Sequence, residues 1–318
     1  MGFYNHHESV NKSLHVVPCS DMCGTVVRLG SSVRSSWQVG DRVLSTFNQT
    51  HLTGQITAKK MVSGLCLPLP GVLTQYRVFP AYGLVKAPVY LTDKEACTLP
   101  IAAVTAWMSV NGMRPLGQNG GKARRCWCKG LVLKQVAQIV HLLPFSDCIV
   151  RRRVLTKALT VIVTSSSDAK LERARALGVD HTINYRTQSE CQNEVMRLTS
   201  DHGADIIFET GGALTLKRSF DCVAFGGLIN CIGYLSCKKD APGDRTNANA
   251  LALRRNVTLK GILNEPKDRF EEMLAVYEKH GIHPVVDKVF AFEESKEALQ
   301  YLYKGGHFGK VVIKVVDQ

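Results

Sequence analysis

From Leu159 onward the chain alternates short apolar, β-branched runs with stretches of helical spacing, and no other feature limits its fold as strongly. The run LTVIVTSSS (159–167) is almost continuously apolar before its serines, as a parallel strand buried on both faces should be. DAKLERARALG follows, with Leu171, Ala174 and Leu177 at helical spacing and a stop at Gly178. DHTINY then reads as a strand, SECQNEVMRLTSDHG as a helix and ADIIFETGG as a strand. ALTLKRSFDCVAFGG reads as a helix, and LINCIGYLS and VTLKGIL as strands. DRFEEMLAVYEKHG is an amphipathic helix ending at Gly281, and the last residues give a helix, a glycine-rich turn and a strand. This alternation predicts an α/β fold with a doubly wound parallel sheet, which binds ligands at the carboxyl ends of its strands.

The first part of the chain follows a different pattern. VPCSDMCGTVVRLGSSV (17–33) and WQVGDRVLST (37–46) are short β-type runs broken by Gly, Ser and Asp. GVLTQYRVFPAYGLVKAP (71–88) predicts two more strands around Pro80 and Gly83, completing a small β-domain. Thr92 with Glu95 three residues on is a helix-start signal, Pro100 should break that helix, and a second helix is expected over Ala102–Val110.

A chain of 318 residues with 45% hydrophobic residues can hold two domains and a large core. The opening MGFYNHHESVNKSLHVV has no apolar core of a leader. The most apolar stretch, LVLKQVAQIVHLLPFSDCIV, carries Lys134, His141, Pro144 and Asp147, which argues against a membrane span. We therefore expect a cytoplasmic protein whose 11 cysteines are reduced. The net charge of +13 is concentrated: residues 122–157 hold nine Lys/Arg against Asp147 alone. A nucleic-acid binder more often spreads such charge over a folded face, so no nucleic-acid partner is expected.

In a dinucleotide-binding sheet the second strand ends beside the adenosine ribose, where an acid accepts the 2′-hydroxyl of NAD. Here that strand runs into Ser165, Ser166 and Ser167, with Asp168 opening the helix and Lys170 following. Hydroxyls and an ammonium suit a 2′-phosphate and so favour NADPH. A plain helix cap beside a solvated lysine is the other reading of the same residues.

PCSDMCG, VGDRV, GVLTQYRVFP, LVKAP, TLPIAAVTAW, SSSDAKLERARALGVDHTINYR and GHFGKVVIKV occur in this order. Together they resemble the medium-chain dehydrogenase/reductase superfamily, in particular its zinc-free quinone-reductase-like branch, often labelled zinc-type alcohol dehydrogenase-like. The resemblance implies a Rossmann sheet plus an incomplete GroES-like β-domain. The domains would be 1–95 (partial GroES-like), 96–255 (Rossmann, with 124–158 an aberrant insert) and 256–318 (return to the GroES-like domain). It implies NADPH-dependent hydride transfer to a small carbonyl, enone or quinone. Lys170 and Tyr185 would contact the 2′-phosphate beside Ser165 and Ser166. The stretch from Glu209 through Thr210, Gly211 and Gly212, and Ile232 and Gly233 with Tyr234, would line the cofactor cleft. Thr105 would lie near the nicotinamide ribose, and Lys310 would reach the cofactor phosphates. Relatives are commonly dimers or tetramers, which leaves a homo-oligomer open. The zinc branch uses a Cys, a His–Glu pair and a later Cys, plus a four-Cys lobe. This sequence does not supply that pattern, so no metal is expected, and Cys19, Cys23 and Cys66 read as core or loop thiols. No catalytic acid or base is assigned.

Two departures bear on activity. The chain starts inside the β-domain, whose first strands the family places earlier. In addition, the family's glycine-rich turn is not legible between Gly121 and Leu159, where Gly130 stands as a lone glycine. Closely spaced glycines let backbone approach a pyrophosphate at a helix N-terminus. Reading the codons one base earlier from Cys126 permits LLVQGTG, the missing turn, so 124–158 reads as out-of-frame or intronic sequence; a diverged insertion is the alternative. The rival functions are a catalytically impaired or inactive relative with weak nucleotide binding, and a basic nucleic-acid binder using 122–157.

Overall fold

The computed structural model describes residues 16–33, 36–113, the backbone of 126–129, 160–237, 239–240, 242–244, 246–263 and 265–316. The chain forms two units. One comprises Met1–Thr105, Asn264–Tyr301 and Gly309–Gln318; the other comprises Ala106–Leu263 and Leu302–Phe308. Among the described residues no helix is long and apolar enough to cross a membrane.

The first unit holds a three-stranded antiparallel sheet of β1 (Cys23–Thr25), β2 (Arg42–Ser45) and β3 (Leu84–Lys86), in that order. Val43 and Leu84 bury one face against Trp37, whose indole N–H donates to the Ala81 carbonyl at 3.0 Å. Arg42 ties β2 to the helix Asp93–Ala96 through the Asp93 carboxylate. That helix starts at Thr92, which forms the expected reciprocal capping box with Glu95. Pro100 falls in a π-helical turn, Leu99–Ala103, so the next helix begins at Val104 and runs to Asn111. Residues 71–79 do not form the strand expected before Pro80: instead Gly71, Val72 and Leu73 donate backbone hydrogen bonds to the carbonyls of Val17, Pro18 and Cys19. The amphipathic helix Lys267–His280 buries Phe270, Met273, Leu274 and Tyr277 and ends at left-handed Gly281. Two parallel strands, β10 (Val286–Ala291) and β11 (Lys310–Lys314), complete this unit.

The second unit is a six-stranded parallel sheet in the order β6-β5-β4-β7-β8-β9. Its strands are β4 (Cys126–Lys129), β5 (Val161–Ser165), β6 (His181–Asn184), β7 (Ala204–Glu209), β8 (Val223–Cys231) and β9 (Thr258–Gly261). Written from β4, the order is 3-2-1-4-5-6, the doubly wound dinucleotide-binding arrangement. The α/β fold expected from the alternation, a Rossmann sheet in one unit and a small antiparallel sheet in the other, is thus the fold of the chain.

All five residues of β5 are buried, as its apolar run dictates. Ile162, Ile183, Ile207 and Ile229 join Val195 and Phe220, from the helices Cys191–Leu198 and Ala213–Cys222, in one core. One local expectation is corrected. The helix after β7 stops at Cys222, because Val223 is already extended (φ −72, ψ 143). Gly226 and Gly227 therefore lie within β8 and do not end a helix. In addition, Cys126–Lys129, inside the segment read as aberrant, supplies the strand between β5 and β7. The rest of that segment, including the place of the glycine-rich turn, lies outside the described residues.

Candidate functional site

The parallel strands bring two pairs of carboxyl ends together, β5 with β6 and β7 with β8. At the first pair, Ser165 is buried and its hydroxyl accepts the Ser167 amide at 3.3 Å. Ser167 caps the helix Asp168–Ala176, its hydroxyl accepting the Lys170 amide. The Asn184 side-chain amide donates to Asp168 at 2.8 Å, and the Tyr185 amide donates to the Ser165 carbonyl at 3.1 Å. The Tyr185 ring packs half-buried against the sheet core. Lys170 Nζ donates to the Gly305 carbonyl at 2.7 Å. Ser165, Ser166, Lys170 and Tyr185, 20 residues apart in sequence, are thus placed at one corner of the sheet by strand register and a helix cap.

At the second pair, the loops after β7 and β8 are zipped together. Ile232 donates to the Glu209 carbonyl at 2.9 Å, Leu235 to that of Thr210 at 2.9 Å, and Ser236 to that of Gly211 at 2.7 Å. Ala213 donates to the Cys237 carbonyl at 3.1 Å. Gly212 has φ +91, and a Cβ there would lie 2.6 Å from the Tyr234 Cα. A Cβ on Gly233 would meet the Thr210 carbonyl oxygen at 3.2 Å. Glycine is needed for this close approach, which leaves Thr210, Gly211, Gly212, Ile232 and Gly233 side by side at the strand ends.

Glu209 does not line a cleft. It is 1% exposed and its carboxylate turns inward beneath the helix Ala213–Cys222. It accepts the amides of Gly211 (2.8 Å) and Gly212 (3.2 Å) and the hydroxyls of Thr215 (2.6 Å) and Ser219. A carboxylate at a helix start satisfies donors that no helical carbonyl can reach. Burial and this neighbouring carboxylate push the Cys231 thiol up to about 11. The sequence signal was present: Thr215 and Ser219 stand four residues apart on one helix face, six and ten residues after the acid.

Two further candidates belong to the other unit. Thr105 is buried, its hydroxyl 3.4 Å from Glu265. Lys310, on β11, places its ammonium 3.8 Å from Asp21. Among the described residues no three His, Cys, Asp or Glu side chains come together as a metal site. Cys23 is hydrogen-bonded to Asp93, and burial raises its pKa, as it does for Cys19 and Cys97.

This fold, with paired strand ends bearing glycines and a hydroxyl-rich helix cap, defines a nucleotide-binding α/β protein. Residues 3–89 match the family of alcohol dehydrogenase GroES-like domains, and residues 154–279 match the zinc-binding dehydrogenases. A zinc-type alcohol dehydrogenase-like protein of Schizosaccharomyces pombe is 36% identical over 302 residues, covering 95% of this chain and 83% of that protein. The solved structure of a Sinorhizobium meliloti 1021 protein assigned as an alcohol dehydrogenase superposes with a TM-score of 0.81 at 34% identity, covering 96% of this chain and 84% of that one. A 2-haloacrylate reductase of a Burkholderia species is 27% identical, covering 78% of this chain and 72% of that protein. The chain belongs to the medium-chain dehydrogenase/reductase superfamily, in its zinc-type alcohol dehydrogenase-like and quinone oxidoreductase-like branch.

Proposed function

We propose that the chain is an NADPH-dependent oxidoreductase that delivers hydride to a small carbonyl, enone or quinone. The observation that carries this reading is the corner where Ser165, Ser166, Lys170 and Tyr185 share the ends of β5 and β6. It is the ribose end of a doubly wound sheet, and it presents hydroxyls and an ammonium where an NAD site presents an acid.

When bound, the reduced nicotinamide supplies the hydride. The chain's own residues bind and orient. Lys170, with Ser165, Ser166 and the Tyr185 phenol, holds the 2′-phosphate through charge-assisted hydrogen bonds. Thr210–Gly212 and Ile232–Gly233 offer backbone without side-chain obstruction to the rest of the dinucleotide, and Glu209 keeps that backbone in place. The names of relatives support the substrate class: a 2-haloacrylate reductase and a Leishmania amazonensis quinone oxidoreductase are among them. No step is assigned to zinc.

The test is oxidation of NADPH by the full chain across a panel of quinones, enones and aldehydes. Turnover that depends on one acceptor class is expected. A second reading, an inactive relative, is favoured by the lone Gly130 in 124–158. Dinucleotide binding without turnover of any acceptor would select it.

A further inference from the structure

Leu302–Phe308 lies more than a hundred residues after the Ser-rich strand end, yet it belongs to the same unit. The segment is built rather than draped. Gly305, His307 and Phe308 are buried. The Gly305 amide donates to the Leu302 carbonyl at 3.0 Å, and Gly305 takes φ +68, a left-handed conformation that glycine adopts freely.

Two cations of a single helix find partners on this segment. Lys170 Nζ donates to the Gly305 carbonyl at 2.7 Å. The Arg173 guanidinium carbon sits 4.2 Å from the centroid of the Phe308 ring. Lys170 and Arg173 are three residues apart on Asp168–Ala176, the helix that Ser167 caps. A lysine head carries three donors on a long flexible stem, and an arginine is equally mobile. A carbonyl and a ring face fix such heads without adding a formal negative charge. Fixing a charge before its ligand arrives lowers the ordering cost of binding.

We infer that Leu302–Phe308 is the specificity-determining element of the dinucleotide site, holding Lys170 and Arg173 as fixed positive charges that select a 2′-phosphate over a 2′-hydroxyl. This inference rests on the reading of the β5–β6 corner as the adenosine end of an NADPH site.

The experiment titrates NADPH and NADH separately into the full wild-type chain and into Lys170→Met, Phe308→Ala and Gly305→Ala, following nucleotide fluorescence, with circular dichroism as the check on folding. A role in folding alone lowers both affinities together; a role in specificity moves their ratio. The wild type is expected to prefer NADPH, and Lys170→Met to abolish the preference. Phe308→Ala removes the ring beneath Arg173. Gly305→Ala puts a methyl group on a left-handed residue and displaces its carbonyl. Each is expected to cut the NADPH/NADH preference by about fivefold or more, with NADH affinity little changed. If Phe308→Ala does not fold, Gly305→Ala decides. Loss of preference in Lys170→Met with the wild-type ratio kept in the two segment variants overturns this inference and leaves the NADPH site standing. A wild type without preference, or a Lys170→Met that retains it, overturns the site reading and the inference with it.

Discussion

The hydroxyl of Thr215 donates to the carboxylate of Glu209 at 2.6 Å, deep beneath the first turn of the helix Ala213–Cys222. With Ser219 and the amides of Gly211 and Gly212, it makes Glu209 the anchor of the loop that carries three proposed cofactor contacts. Glu209→Gln turns one acceptor oxygen into a donor facing other donors. It should cost about 1–3 kcal/mol of stability and weaken dinucleotide binding. Urea unfolding paired with a cofactor titration checks both; unchanged values in both would remove the anchor role.

The zipped loops give a second expectation. Gly212→Ala places a methyl 2.6 Å from the Tyr234 Cα at φ +91, whereas a Cβ on Gly261 meets nothing within 4 Å. Gly212→Ala should lose about 1–3 kcal/mol, and Gly261→Ala should lose far less. Thermal unfolding of the two variants compares them, and equal midpoints would contradict the close approach.

Asp21 provides a pH signature. Burial pushes its carboxyl up to about 6, against the opposing pull of Lys310. The folded state then holds a proton that the unfolded state has released, so stability is fullest below pH 4 and declines as pH rises through 6. The loss amounts to about 3 kcal/mol at most, taking ~1.4 kcal/mol for each pH unit. Carboxylates with lowered values, such as Glu95 and Glu194, slope the other way, so the difference from Asp21→Asn isolates the effect. Between pH 4 and 6.5, wild-type stability should fall relative to Asp21→Asn; a parallel course would show that Asp21 is ionised throughout.

The thiols of Cys19 and Cys97 are pushed up to about 12, first by burial and then by neighbouring Cys66 and Asp21 respectively. Their thiolate fraction at pH 8 should be about a thousandfold below that of a free cysteine. Iodoacetamide followed by peptide mass spectrometry should label them slowly in the folded chain and fast in urea. Fast labelling of the folded chain would contradict this environment.

What the sequence disclosed, and what it hid, follows from where each signal resides. β5 was legible because VIVTS is apolar throughout, and the helix Lys267–His280 because its period and Gly281 agree. β4 was not, because CWCK becomes a strand through its neighbours β5 and β7 rather than through its own pattern. The start of β8 was hidden by Gly226 and Gly227, which imitate a helix stop. At the site, Ser165, Lys170 and Tyr185 could be picked out along the chain. Gly305 and Phe308 could not, since their link to Lys170 and Arg173 spans about 135 residues and exists only after folding.

Under the proposed function, the corner formed by Ser165, Ser166, Lys170 and Tyr185 receives a phosphate on the adenosine 2′ position. Calorimetric binding of adenosine 2′,5′-bisphosphate and of AMP isolates that phosphate from the rest of the cofactor. The bisphosphate should bind at least about tenfold more tightly, a gap of ~1.4 kcal/mol, and Lys170→Met combined with Tyr185→Phe should close it. Equal affinity of the wild type for the two nucleotides would contradict the account.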